Sequence, residues 1–135
     1  SPFVYGFLGN VNLFHGRVHQ GVMETGEMSL DAPGQHSAEN APAVAYARPH
    51  DFEVARPAPD QIGIRVSLSR ALAVGPVARL ELKREDNGEM IEVEIPTGQY
   101  RDLQLQEGEA LVVRPRKLQV FLKTDPVHKG AAPQP

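Results

Sequence analysis

The stretch IGIRVSLSRALAVGPVARLELKREDNGEMIEVEI, residues 62–95, decides the fold class. Ile62, Ile64, Val66 and Leu68 share one face, and Gly63, Arg65, Ser67 and Ser69 the other. A period of two over eight residues marks a half-buried strand. Gly75-Pro76 interrupts the run. Ala78, Leu80 and Leu82 then alternate with Arg79, Glu81 and Lys83. Asp86-Asn87-Gly88 follows, and Asn-Gly is a strong signal for a two-residue hairpin whose turn positions both want positive φ. Ile91, Val93 and Ile95 return with Glu92 and Glu94 facing water. Arg79 and Lys83 are expected beside those glutamates, each cross-strand pair worth roughly 0.2–1 kcal/mol.

Working outward, the same extended texture recurs. Ala43 to Ala47 reads as a short strand ended by Arg48-Pro49, and Phe52 with Val54 as another. On the N-terminal side Phe14 and Val18 alternate with His15, Arg17 and His19. Gly21 starts a reversal, and Val22–Glu24 and Met28–Leu30 flank Thr25-Gly26-Glu27 as a hairpin. Residues 31–42 carry no aliphatic side chain larger than alanine, and an exposed, mobile loop is expected there. Thr97 to Gln106 is the best short helix, stopped by Gly108. Leu111–Pro115 and Leu118–Leu122 read as closing strands. About nine strands and one or two short helical turns result.

The ends read differently. Phe3, Val4, Phe7 and Leu8 have the spacing of one or two helical turns, too few to hold a helix without something to pack on. The tail 124–135 is rich in Pro, Ala and Gly and is expected to be disordered.

Composition narrows the function classes. The chain has 135 residues with Gly 12 and Pro 12, a density of chain-turning residues that leaves little room for long helices. That length suits one domain or two very small lobes. Net charge is −3 and aromatics are 6%, which argues against a basic nucleic-acid footprint or a base-stacking platform. There is no cysteine, so disulfides and thiolate zinc sites are excluded, and the compartment leans cytosolic. No apolar run approaches a membrane helix.

Catalytic patterns are absent. None of Lys83, Lys117, Lys123 and Lys129 follows a glycine, so no P-loop can be written. His15 and His19 on a strand lie about 13 Å apart, too far for one ion. The carboxylate clusters Glu85-Asp86, Glu92/Glu94 and Glu107/Glu109 fall at turns or on outward faces and read as solvated charge. No metal site and no catalytic residue is expected. Two positive groupings remain. Arg48-Pro49-His50-Asp51 is either a structural bend closed by Asp51 or an oxyanion contact through Arg48 and His50. Arg114-Pro115-Arg116-Lys117 reads as solvated charge that discourages edge pairing.

The ordered pieces FVYGFLGNVN (residues 3–12), GRV (16–18), YARPHDFEV (46–54), VGPVARLEL (74–82), GEALVVRPR (108–116) and VF (120–121) carry a resemblance. The chain resembles the C-terminal regulatory part of the ATP-binding subunit of bacterial sulfate/thiosulfate ABC importers, within the transport-associated OB-like (TOBE) group. The resemblance implies an all-β fold, an OB-like small barrel or sandwich. It implies a junction segment at 1–12 from an ATPase domain lying before Ser1, and a regulatory domain at 13–123. ATP and magnesium would belong to that ATPase domain, with no cofactor in this chain. The implied partners are a second copy through the regulatory domain, the chain's own ATPase domain, permease subunits indirectly, and sulfate or a related oxyanion. The implied place is the cytoplasmic face of the inner membrane. The residues put forward for anion contact are Arg48 and His50, then Arg65 and Arg79, because they project from well-formed strands. The alternatives are a stand-alone cytosolic oxyanion-binding module and an OB-type nucleic-acid module.

Overall fold

The computed structural model describes residues 10–123. The helical turns expected over Phe3–Leu8 and the tail from residue 124 lie outside them. The described chain is all-β, with ten strands and one short helix. It divides into two compact units. One holds residues 10–47 and 118–123, and the other residues 48–117.

The discontinuous unit contains β1 (Asn12–His19), β2 (Val22–Thr25), β3 (Met28–Asp31), β4 (Ala41–Ala47) and β10 (Gln119–Leu122). They form one antiparallel sheet in the order β10-β4-β1-β2-β3. The expected alternation is present in β1, where Phe14 and Val18 are buried and His15, Arg17 and His19 are exposed. Alanine fills the matching positions of β4, with Ala43, Ala45 and Ala47 at most 2% exposed. Small side chains there leave room for Phe14 and Met23, both fully buried. Gly16 answers to a close approach: a Cβ on it would stand 1.9 Å from the Glu24 carbonyl oxygen. Only glycine lets that backbone pass.

The loop after β3 is shorter than expected, because β4 begins at Ala41. It is exposed along most of its length yet tied down. Gln20 and Gly21 donate their N–H groups to Ala38 and Gln35 at 2.8 and 3.0 Å, and Ala32 donates to Gly21 at 2.8 Å. Nothing in a run of small and polar residues signals these long-range bonds.

The continuous unit contains β5 (Phe52–Ala55), β6 (Ile64–Val74), β7 (Val77–Arg84), β8 (Met90–Pro96), α1 (Thr97–Leu103) and β9 (Ala110–Pro115). Its sheet runs β5-β9-β6-β7-β8, antiparallel throughout. Ile64, Val66, Leu68, Leu80, Leu82 and Val93 are all at most 1% exposed. Each such side chain contributes roughly 1.5–3 kcal/mol when withdrawn from water.

Three local expectations change. Ile62 lies before β6 and is 67% exposed, so the alternation begins one step later, after Gly63. The hairpin at Asn87-Gly88 forms, but its connection spans residues 85–89 and only Gly88 has positive φ. Asn87 Oδ1 instead accepts the Glu89 N–H at 2.9 Å, so the Asn side chain mimics a backbone turn. The helix stops at Gln104, which takes the left-handed conformation (φ 50) four residues before Gly108. Arg101 O accepts the Gln104 N–H there, satisfying a helix-end carbonyl without glycine.

β7 carries a charged residue at one of its inward positions. Arg84 occupies an inward position, its side chain 1% exposed, and meets Asp86, 2% exposed. The contact is bidentate, Nε to Oδ1 at 2.9 Å and Nη2 to Oδ2 at 2.7 Å. A buried guanidinium is tolerated because its charge and its fork of donors are matched at once.

Candidate functional site

The turn Arg48-Pro49-His50-Asp51 opens the continuous unit. Proline fixes φ at Pro49 and biases Arg48 to extended backbone. Asp51 then donates its N–H to the Arg48 carbonyl at 3.0 Å, closing the turn. Two further backbone bonds fix its place: Glu94 N–H on β8 donates to Pro49 O at 2.8 Å, and Arg116 N–H donates to Asp51 O at 2.7 Å. The expected bend is thus a hydrogen-bonded junction where β8 and the segment after β9 meet. Pro49 is buried, Arg48 half-buried and His50 exposed.

An open cleft of about 360 Å³ lies beside this turn. His50, Arg116, Gln99 and Glu94 supply its polar groups, and Pro76, Val77, Ile95 and Pro96 its apolar wall. The wall is built where the β6–β7 turn meets the start of α1. Thr97 donates its hydroxyl to Gly75 O at 2.7 Å and its N–H to Pro76 O at 2.9 Å. The first helical residue is thereby anchored without a side-chain N-cap.

The structure brings some expected residues together and separates others. His50 lines the cleft, its Nε2 lying 3.7 Å from Asp51 Oδ2. Arg79 reaches the same neighbourhood through Glu94, with Nη2 to Oε2 at 3.5 Å and its Nε 3.2 Å from Glu92 Oε2. Both are surface pairs of the kind worth at most about 1 kcal/mol. Arg65 stands apart. Arg79 lies opposite Leu72, and Arg65 is seven residues earlier on β6, roughly 20 Å away at strand spacing.

Arg116 belongs with His50. Its Nη1 donates to the His50 carbonyl at 3.2 Å, and its Nε lies 3.9 Å from Glu53 Oε2. Arg114 pairs with Glu53 at 2.6 Å across the β5–β9 ladder. The sequence reading placed both arginines as free edge charge. The signal for a different role was an Arg-Pro-Arg run directly after a strand, but only the register shows that Glu53 lies opposite it.

Across the sheet, Arg56 donates to Glu109 Oε2 and, through Nη2, to Leu103 O at 2.7 Å. Gln106 N–H donates to Glu109 Oε1 at 2.9 Å. The Arg56 hydrogen bond, then the Gln106 N–H, hold the Glu109 carboxyl below its ordinary value. This staple is structural. Among the described residues no three His, Asp or Glu side chains gather around a point where an ion could sit. No helix among them is long and apolar enough to cross a membrane, which says nothing of β-barrels.

Comparison with known proteins places this architecture. A solved structure of the cytoplasmic molybdate-binding protein ModG with molybdate bound superposes with a TM-score of 0.65, covering 82% of this chain and 95% of that one at 15% identity. At that identity the likeness is one of fold. A family model described as a TOBE-like domain matches residues 58–116. The class is therefore a TOBE-like, OB-like β domain rather than an ATPase domain.

A second family model, described as the CysA C-terminal regulatory domain, matches residues 12–54. Sulfate/thiosulfate import ATP-binding proteins CysA align over most of the chain. The one from Ralstonia nicotianae is 48% identical over 99% of this chain, and that from Bacillus cereus strain ATCC 10987 is 45% identical over 93%. The one from Nitrosomonas europaea is 47% identical over 90%. The chain is thus similar to the CysA C-terminal regulatory domain over residues 12–54 and to CysA proteins over most of its length. It spans 34–38% of the length of these three relatives.

Proposed function

We propose that the chain is the regulatory and dimerisation portion of a sulfate-type importer's ATP-binding subunit, and that it senses a cytosolic oxyanion. Residues 13–123 form its regulatory body. ATP and magnesium are handled by an ATPase domain of the same subunit, and permease subunits are reached through that domain at the inner face of the membrane. The observation that carries the reading is the 48% identity to a CysA protein over 99% of this chain, a span that takes in both units. Molybdate binding by a protein of the same fold supports an oxyanion as the ligand class.

The mechanism is a population shift. Contacts between two regulatory portions bias the separation of the ATPase halves, and an anion that prefers one arrangement moves the balance by its difference in affinity. For anion contact the cleft favours His50 with Arg116, with Arg48 in the same turn. Arg79 comes next, held by two glutamates, and Arg65 would act at a separate place. Calorimetric titration with sulfate, thiosulfate and molybdate tests this. Heat of binding that His50→Ala with Arg116→Ala abolishes is the expected result. No heat at millimolar anion removes the sensing role, and sedimentation showing a monomer at all concentrations removes pairing through this portion alone.

A further inference from the structure

Residues 32–40 are fastened to the β1–β2 turn, and one fastening differs in kind from the rest. Asn40 has φ 49, the left-handed region that costs a side-chain-bearing residue free energy. Three hydrogen bonds hold it there, all from alternate outward residues of β1. Arg17 Nη2 donates to Asn40 O at 2.6 Å, and Arg17 Nε donates to Asn40 Oδ1 at 2.8 Å. The third runs the other way: the Asn40 N–H donates to His19 Nδ1 at 3.1 Å. An imidazole accepts at Nδ1 only when neutral, with its proton on Nε2. Imidazole is also the side chain that ordinarily changes charge between pH 5 and 8.

We infer that His19 and Asn40 form a proton-sensitive clasp, which lets the β4 end of the 32–40 loop lift when His19 is protonated. Protonation removes the Nδ1 acceptor that the Asn40 N–H has among the described residues and sets two N–H groups against each other. It also adds a second cation next to the Arg17 guanidinium that grips the same residue. The charged and titratable surroundings are few. On β1 they are Arg17 and His15, and β2 offers Glu24 opposite Arg17. The loop brings Glu39 and His36, whose ring lies against Gly21. From β4, Ala41 faces Val18 and brings no charge. The bonds from loop to turn described above, Gln20 to Ala38, Gly21 to Gln35 and Ala32 to Gly21, are backbone to backbone and do not titrate in this range. Opening is therefore confined to the Asn40 end. This clasp stands apart from the anion reading.

Amide exchange of the 15N-labelled chain at pH 8 and pH 5.5, corrected for intrinsic rates, tests it. Protection of the Asn40 amide is expected to fall about fivefold on acidification, the worth of one ordinary hydrogen bond. The Gly21 amide should keep its protection. In His19→Phe the Asn40 protection should be low and independent of pH, while His36→Phe should retain the full response. Asn40 protection that does not change with pH overturns the clasp. So does a pH response that survives in His19→Phe, or a neutral His19 that carries its proton on Nδ1 by 15N chemical shift.

Discussion

The two units solve the same problem, a five-stranded antiparallel sheet, with different material. The continuous unit fills its inward positions mostly with Ile, Val and Leu, alternating cleanly along β7 and β8, and admits the charged Arg84, matched by Asp86. The discontinuous unit uses alanines on β4 and Gly16 on β1, so that strands and two large side chains, Phe14 and Met23, can come close. One core tolerates variation in apolar size as long as the charge is matched. The other has steric tolerance near zero where backbones cross. Stability in the first rests on area withdrawn from water, and in the second on fit.

The difference can be broken or sharpened by substitution. The largest effect is expected from Arg84→Ala, which takes the guanidinium away from the buried Asp86 carboxylate; a loss of about 3–5 kcal/mol should appear in urea denaturation. Replacing both partners, as Arg84→Met with Asp86→Ala, should recover much of that loss, which separates the worth of the pair from the penalty of a lone charge. Gly16→Ala comes next. Its added methyl meets the Glu24 carbonyl, and the chain should lose about 1–3 kcal/mol with faster amide exchange in β1 and β2. If Gly16→Ala is neutral, the crossing is looser than described.

Smaller still is Arg79→Ala. Its pairs with Glu92 and Glu94 are half-exposed, and a change within about 1 kcal/mol is expected, shrinking further in added salt. Last comes the pH response of Glu109. Its carboxyl titrates lower in the folded chain than in the unfolded one, so its contribution is complete above the unfolded value near 4.5 and fades as pH falls through the lower folded value. Arg56→Gln should flatten that acid limb by lowering stability slightly at neutral pH while leaving it unchanged at acid pH.

How much was legible beforehand follows the same divide. Alternation over Ile62–Ser69, Ala78–Lys83 and Ile91–Ile95 announced three strands and, Ile62 apart, their buried faces; Arg79 lies beside Glu92 and Glu94 as expected, while Lys83 stands opposite Met90. Periodicity reports which side of a strand is wet, and it reports nothing of neighbours far along the chain. Hence the sheet orders, the Arg116 bond to the His50 carbonyl and the docking of the 32–40 loop were hidden. Turn chemistry erred where a side chain did a backbone's work, as Asn87 does for Glu89. Arg84 was invisible for a simpler reason: at a strand end an arginine reads as solvent-facing, and its inward place depends on Asp86 two residues on. Within the candidate site the bend at Arg48–Asp51 was legible, while its convergence with Glu94 and Arg116 came only from long-range register.

The pairing of β4 with β10 has a consequence for how the polypeptide matures. β10 lies beside β4 in space, yet everything between residues 48 and 117 is translated before it. As the ribosome delivers the chain, the contiguous portion can close while one border of β4 stays bare. Of the two sheets, the one begun earlier is thus completed later, and its sealing waits on β10 to leave the exit tunnel.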